Sequence, residues 1–148
     1  MKDVLGFNGK YSVDTEGNVY SIKLSRVLNG FLNHNGYRKV ELWNDGKGKH
    51  KFVHRLVWEA YNGPVPVGLE IDHIDRDRLN NNLSNLRLVT RSQNLWNTGA
   101  KGYCWISQCK KWRAQITANG IEKYLGFFDT EEEARQAYLN AKEIYHAI

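Results

Sequence analysis

Apolar and polar positions alternate in short runs over the first fifty residues and then change period. "YSVDTEGNVYSIKL", residues 11–24, predicts two short strands around the turn "TEGN". "YRKVELWNDGKGKHKFV" predicts two more, turned by "DGKGK". From Val53 the spacing becomes helical, with Leu56, Val57, Ala60 and Tyr61 on one face, and "NGPVP" ends that helix. "LEIDHI" and "LRLVT" then read as two strands separated by "DRDRLNNNLSN", which is too polar for either element and reads as a loop bonded by its own side chains. Thr90 and Gln93 fit a capping box that opens a short helix over "RSQNLWN".

The last third repeats the logic on its own terms. "YCWIS", "KWRAQITA" and "EKYLGFF" read as three strands, the second turn being "NG". Thr130 and Glu133 open a helix whose inner face carries Ala134, Ala137, Tyr138, Ala141, Tyr145 and Ile148. The fold class expected is α+β. A small antiparallel N-terminal part and a strand–loop–strand–helix finger (about 69–97) occupy residues 1–98. Residues 99–148 form a three-stranded sheet packed on one helix, with the joint at Gly99 to Gly102.

Composition narrows the class. The 148 residues are 41% apolar and 12% aromatic, enough for packed cores. A formal charge of +5 favours a polyanionic partner. Two cysteines are too few for a disulfide scaffold or a four-cysteine zinc site. No leader-like segment and no membrane-length apolar run is present, so an intracellular, cytoplasmic protein is expected. Within the last third the charge is segregated. Residues 99–126 hold five basic side chains against one acidic, whereas 127–148 hold two against five. Alternation in "KWRAQIT" turns Trp112, Ala114 and Ile116 toward the helix and Lys111, Arg113, Gln115 and Thr117 outward. Such a basic, amide-bearing face suits the DNA major groove; a solvated face is the alternative.

The candidate chemistry lies in "EIDHIDRDRLNNNLSNLRLVTRSQN", residues 70–94. Asp72 and His73 are neighbours on a strand, where a carboxylate can hold a magnesium-type ion while an imidazole, with an ordinary pKa near 6.5, takes a proton from water. Asn94 offers an amide oxygen as second ligand, and Asn85 a side chain to hold loop and imidazole. Asn80, Asn81 and Asn82 read as loop-bonding residues. Asp75 and Asp77 lack the spacing and central glycine of a calcium loop and read the same way. His54, at an apolar helix start, reads as a satisfied core histidine.

Residues 53–94, with "HRLV", "DHID", "NN", "NL" and "VT…N" in order, closely resemble the HNH endonucleases, especially free-standing homing enzymes of phage type. The resemblance implies a ββα-metal finger. His73 would be the general base, Asp72 and Asn94 the metal ligands, and Asn85 the middle asparagine that supports the histidine. Mg2+ is the expected ion, with Mn2+ an alternative. Asn94 stands where the family name has a final histidine, and Arg76 where glycine is common. "YSVDTEGNVYS" resembles a module found at the start of such enzymes. "KGYCWISQCKKWRAQITANGIEKYLGFFDTEEEARQAY" is similar to the ethylene-response-factor-type DNA-binding domain of plants. That likeness implies DNA contacts from Lys101, Arg113, Gln115, Thr117 and Tyr124, to which alternation adds Trp105 and Lys111.

The function expected is therefore a metal-dependent endonuclease acting on double-stranded DNA. One finger carries one site, so a monomer is expected to nick. The rivals are a non-catalytic, regulatory DNA-binding protein with a structural finger, or a nuclease for RNA or branched DNA.

Overall fold

Alternation over residues 2–32 builds one small sheet and the first strand of another, in the computed structural model that describes residues 1–97 and 101–146. The strands are β1 (Lys2–Asp3), β2 (Tyr11–Val13), β3 (Val19–Ser21), β4 (Arg26–Val27) and β5 (Phe31–Leu32). The first four form an antiparallel sheet in sequence order. β5 instead pairs with the hairpin of β6 (Arg38–Asn44) and β7 (Lys47–Phe52). Asp45 and Gly46 both take positive φ, 49° and 74°, as a two-residue hairpin turn requires.

Helix α1 (Val53–Asn62) follows without a break and buries Val53, Leu56 and Val57, the face expected from its spacing. It then leads to β8 (Leu69–His73) and β9 (Leu86–Thr90), an antiparallel pair that places Asp72 opposite Arg87 and His73 opposite Leu86. Val13, Val19, Val40, Leu42, Val53 and Val57 are fully buried, and Leu86 from β9 joins the same core. The N-terminal sheet and the finger's second strand thus share one hydrophobic centre. β1, β4 and β5 have only two residues each, too few for the period-2 pattern to register.

The second unit comprises α2 (Arg91–Trp96) from its second residue on, β10 (Tyr103–Ile106), β11 (Lys111–Ala118), β12 (Ile121–Phe128) and α3 (Glu131–Tyr145). The three strands pair in sequence order, with Asn119–Gly120 at the second turn. The Thr130–Glu133 capping box forms as expected. Ala134 and Ala141 of α3 and Ala114, Ile116 and Ala118 of β11 are buried. Gly102 has no room for a side chain, because a Cβ there would collide with the Tyr138 ring.

The chain divides into Met1–Arg91 and Ser92–Ile148. This groups α2 with the C-terminal strands, where Trp96 stacks on His146 with ring centroids 4.7 Å apart; sequence pattern groups it with the finger. The joint expected near Gly99, the 98–99 division and Ile148 lie outside the described residues. Among the described residues no helix is long and apolar enough to cross a membrane. The α+β class with antiparallel sheets is as the sequence indicates.

Candidate active site

β8 ends on two buried polar residues, Asp72 at 7% and His73 at 4% exposure. Burying a carboxylate is costly unless it is paired, and the facing strand supplies the partner. Arg87 donates from Nε (3.0 Å) and Nη2 (2.9 Å), both to Asp72 Oδ2. The arginine therefore grips one carboxylate oxygen and does not bridge the two. A carboxylate oxygen is a hard donor, so the chemistry of Asp72 suits magnesium better than a softer ion. Among the described residues no cluster of three or more His, Cys, Asp or Glu could hold a metal by itself. Asn94 is carried by α2, half-buried, in the second unit.

The loop between β8 and β9 is held by its own side chains together with backbone bonds, among them Arg76 N–H to the His73 carbonyl (2.9 Å) and Asn80 N–H to the Asp77 carbonyl (3.1 Å). Asp75 Oδ1 accepts the Asp77 N–H (2.8 Å) and Asp77 Oδ1 accepts the Leu79 N–H (2.9 Å). Asn80 Nδ2 donates to Asp75 Oδ2 (2.7 Å). These bonds to Asn80, Asp77 and Asn85 hold the Asp75 carboxyl below its ordinary pKa. Arg76 takes φ +67°, the left-handed conformation that accounts for glycine at its place in the family pattern.

Asn85 clamps the same loop. Its Oδ1 accepts the Asp75 N–H (3.1 Å), and its Nδ2 donates to Asp75 Oδ1 (2.9 Å) and the Asn80 carbonyl (2.8 Å). Its amide thus holds the loop, while the imidazole's hydrogen-bond partner is a residue read from sequence as loop-bonding only. Asn81 Oδ1 lies 3.1 Å from His73 Nε2. Asn81 Nδ2 donates to the Leu79 carbonyl (3.2 Å), which fixes the amide's orientation. An oxygen facing Nε2 requires a proton there. Nδ1 is then the nitrogen with the basic lone pair. Asn81 is one of three consecutive asparagines, and nothing in the string distinguishes it from its neighbours.

His54 corrects a second expectation. Its ring packs edge-on to His73 (5.2 Å) and beside Phe52 and Tyr37 (both 5.3 Å). Its buried Nδ1 has no hydrogen-bond partner among the described residues, so it is not a satisfied core histidine. Burial, then the neighbouring His73 and Arg55 charges, lower its pKa from 6.5 to about 4. With its ordinary value in the unfolded chain, the folded state binds fewer protons between those limits. Stability from this group is present above pH 6.5 and is lost as pH falls toward 4, by about 3 kcal/mol. Denaturant unfolding of wild type and His54→Phe from pH 7.5 to 4.5 should show a shallower acid loss in the variant; equal slopes would remove His54 as its source.

The C-terminal sheet presents most of the other candidates on one face. Ala114 and Ile116 are buried beneath α3, and Arg113, Gln115 and Thr117 alternate with them. Tyr124 pairs with Gln115 and is 57% exposed. Several charges are engaged locally: Lys111 with Asp129 (2.8 Å), Arg113 with Glu122 (3.3 Å) and Lys101 with Glu131 (3.9 Å). Exposed pairs of this kind are worth little, so a phosphate could replace the carboxylate. The register separates Trp105 from this group. It pairs with Trp112, ring centroids 5.5 Å apart, and directly paired residues share a face. Trp105 thus lies on the face opposite Arg113, because strand alternation does not carry across the turn between β10 and β11.

Comparison with known proteins places these features. Residues 51–95 match the HNH endonuclease family model and residues 2–43 the NUMOD4 motif. The chain is 38% identical over 130 residues to DNA endonuclease I-HmuI of Bacillus phage SP01, covering 82% of this chain and 75% of that one. It is also 38% identical over 100 residues to Protein 3.8 of Escherichia phage T7, covering 62% and 83%. A solved structure described as DNA binding and cleavage by the HNH homing endonuclease I-HmuI aligns with a TM-score of 0.63 at 34% identity, covering 91% of this chain and 80% of that one. Family match, sequence identity and shared fold agree, and the chain belongs to the HNH endonuclease family of nucleases.

Proposed function

We propose that this protein is a homing-type endonuclease that hydrolyses phosphodiester bonds in double-stranded DNA, with His73 as general base and a divalent cation, Mg2+ or alternatively Mn2+, held by Asp72 and Asn94. Support for the base comes from one observation above all: His73 Nε2 faces Asn81 Oδ1 at 3.1 Å, which suits the neutral tautomer with its proton on Nε2 and its basic lone pair on Nδ1. Arg87 orients Asp72, and Asn85 keeps the loop that carries Asn81 in shape. When bound, the ion would stabilise charge on the phosphate and leaving oxygen. Asn94 enters on its motif position in the helix that follows β9. One such site per chain implies nicking by a monomer.

In this reading residues 1–98 form the nuclease part, and residues 99–148 a DNA-reading module of the ethylene-response-factor type. Lys111, Arg113, Gln115, Thr117 and Tyr124 would contact DNA from its outer face, flanked by Lys101. Trp105 would act from the sheet's edge. Lys47, Lys49 and Lys51 of β7 would add phosphate contacts.

The test is supercoiled plasmid incubated with Mg2+, with and without chelator. Nicked circles that vanish with chelator are expected; intact plasmid across varied DNA that the protein still binds would favour a non-catalytic DNA-binding protein. For the sheet, combined Arg113→Ala and Gln115→Ala should weaken binding to a preferred site by about 1–3 kcal/mol and relax its sequence preference. Unchanged affinity and preference in a gel-shift series would remove the reading module.

A further inference from the structure

The turn between β2 and β3 touches the active-site loop at two points. Asp14 organises it: Oδ1 accepts the Glu16 (3.0 Å) and Asn18 (2.9 Å) N–H groups, and Oδ2 accepts from Asn18 Nδ2 (2.9 Å) and the Tyr20 hydroxyl (3.3 Å). Gly17, at φ +92°, then lies so close to Asn81 that a Cβ there would sit 2.8 Å from Asn81 Cβ and 3.2 Å from its carbonyl oxygen. Two residues on, the Leu83 N–H donates to the Thr15 carbonyl at 2.8 Å. Asn81 itself is 2% exposed, and both its backbone N–H (3.0 Å) and its Nδ2 (3.2 Å) donate to the Leu79 carbonyl. It is thus held by the loop from one direction and by the N-terminal turn from the other.

We infer that the Asp14–Asn18 turn is a buttress for the catalytic histidine. Through Gly17 it fixes Asn81, and Asn81 sets the tautomer and ring orientation of His73. Asn81 and Gly17 are positioning residues. The N-terminal module is then part of the machinery that prepares the base, in addition to any contact it makes with nucleic acid. The physical basis is general: a neutral imidazole exists in two tautomers, and a fixed acceptor at one nitrogen selects the form whose other nitrogen is basic. A glycine is required at position 17 because the contact is with backbone and Cβ atoms that cannot swing aside. The inference rests on His73 being the base, and the experiment separates the two.

Full-length protein with 15N-labelled histidine is compared as wild type, Asn81→Ala, Asn81→Asp, Gly17→Ala and Gly6→Ala. Gly6 has the same kind of positive φ (79°) but nothing within 4 Å of an added Cβ, so it controls for backbone strain alone. The His73 signals are identified by their absence in His73→Ala. Two quantities are read: the His73 tautomer from long-range 15N–1H correlations, and the single-turnover cleavage rate beside the DNA dissociation constant. Wild type and Gly6→Ala should show the Nε2–H form. Asn81→Ala and Gly17→Ala should show mixed tautomers and cleave roughly ten- to a hundredfold more slowly with little change in DNA affinity. Asn81→Asp, which keeps an acceptor oxygen, should restore the Nε2–H form.

An Asn81→Ala protein that keeps the Nε2–H tautomer and cleaves within twofold of wild type overturns the inference. So does a Gly17→Ala protein indistinguishable from Gly6→Ala. Should Asn81→Ala fail to fold, Gly17→Ala and Asn81→Asp still decide it. Undiminished cleavage by His73→Ala would remove the base reading instead, and the tautomers would still decide whether Asn81 and Gly17 hold the ring.

Discussion

Replacing His73 by alanine should lower the single-turnover cleavage rate by roughly 10²- to 10⁴-fold, the range a positioned general base contributes. DNA affinity should hold, because the imidazole is 4% exposed and the proposed DNA contacts lie on the basic faces. The protein should remain folded, since the ring packs against Tyr37 and His54 at the edge of the core rather than within it. A loss in rate without a loss in binding marks an interaction made in the transition state. Equal rates for variant and wild type in a quenched-flow or gel time course would contradict the role given to this residue.

Asp72→Asn should produce the second large effect, and it should be separable into two parts. In the proposed site, removing the charge would weaken the grip on a cation that would supply several kcal/mol of charge stabilisation, so cleavage should fall roughly a thousandfold. Raised Mg2+ should recover part of that loss, whereas it should not recover His73→Ala. The same substitution leaves Arg87 facing a neutral amide. A fully buried pair broken in this way costs about 3–5 kcal/mol; with Arg87 26% exposed, water takes over some of the pairing, and about 2 kcal/mol is expected. Adding Arg87→Met should restore stability and leave cleavage impaired. Denaturant unfolding of the single and double variants, run beside cleavage, checks both halves. A double variant that regains cleavage would mean that Asp72 serves only to neutralise Arg87.

Much of this was legible in the string because the relevant patterns are local. The period change at Val53, the capping box at Thr130 and the Asp-Gly and Asn-Gly turns each fall within a few residues. Asp72 and His73 are legible through the ordered motifs around them, "DHID", "NN", "NL" and "VT…N", because a histidine on a short strand is by itself more often structural than catalytic. What escaped depends on contacts between distant segments. Arg87 faces Asp72 only once the β8–β9 register is set. Asn81 differs from Asn80 and Asn82 only in what its amide reaches, and Gly17 matters only because a loop more than sixty residues away lies against it. His54 reads from the string as a satisfied core histidine, and its unpartnered Nδ1 follows from how Tyr37, Phe52 and His73 close around it. The face of Trp105 is set by its pairing with Trp112, a register that alternation along the string does not carry across the intervening turn.

The central claim is that a side-chain imidazole at position 73 takes the proton from water, and chemical rescue tests it most directly. His73→Gly protein, with Mg2+ and DNA substrate, is titrated with free imidazole. The account predicts slow cleavage without it and a rate that climbs with imidazole concentration, while Asp72→Asn gains nothing from the same additions. A folded His73→Gly protein that cleaves at the wild-type rate unaided, or that stays inert at every imidazole concentration, would contradict it.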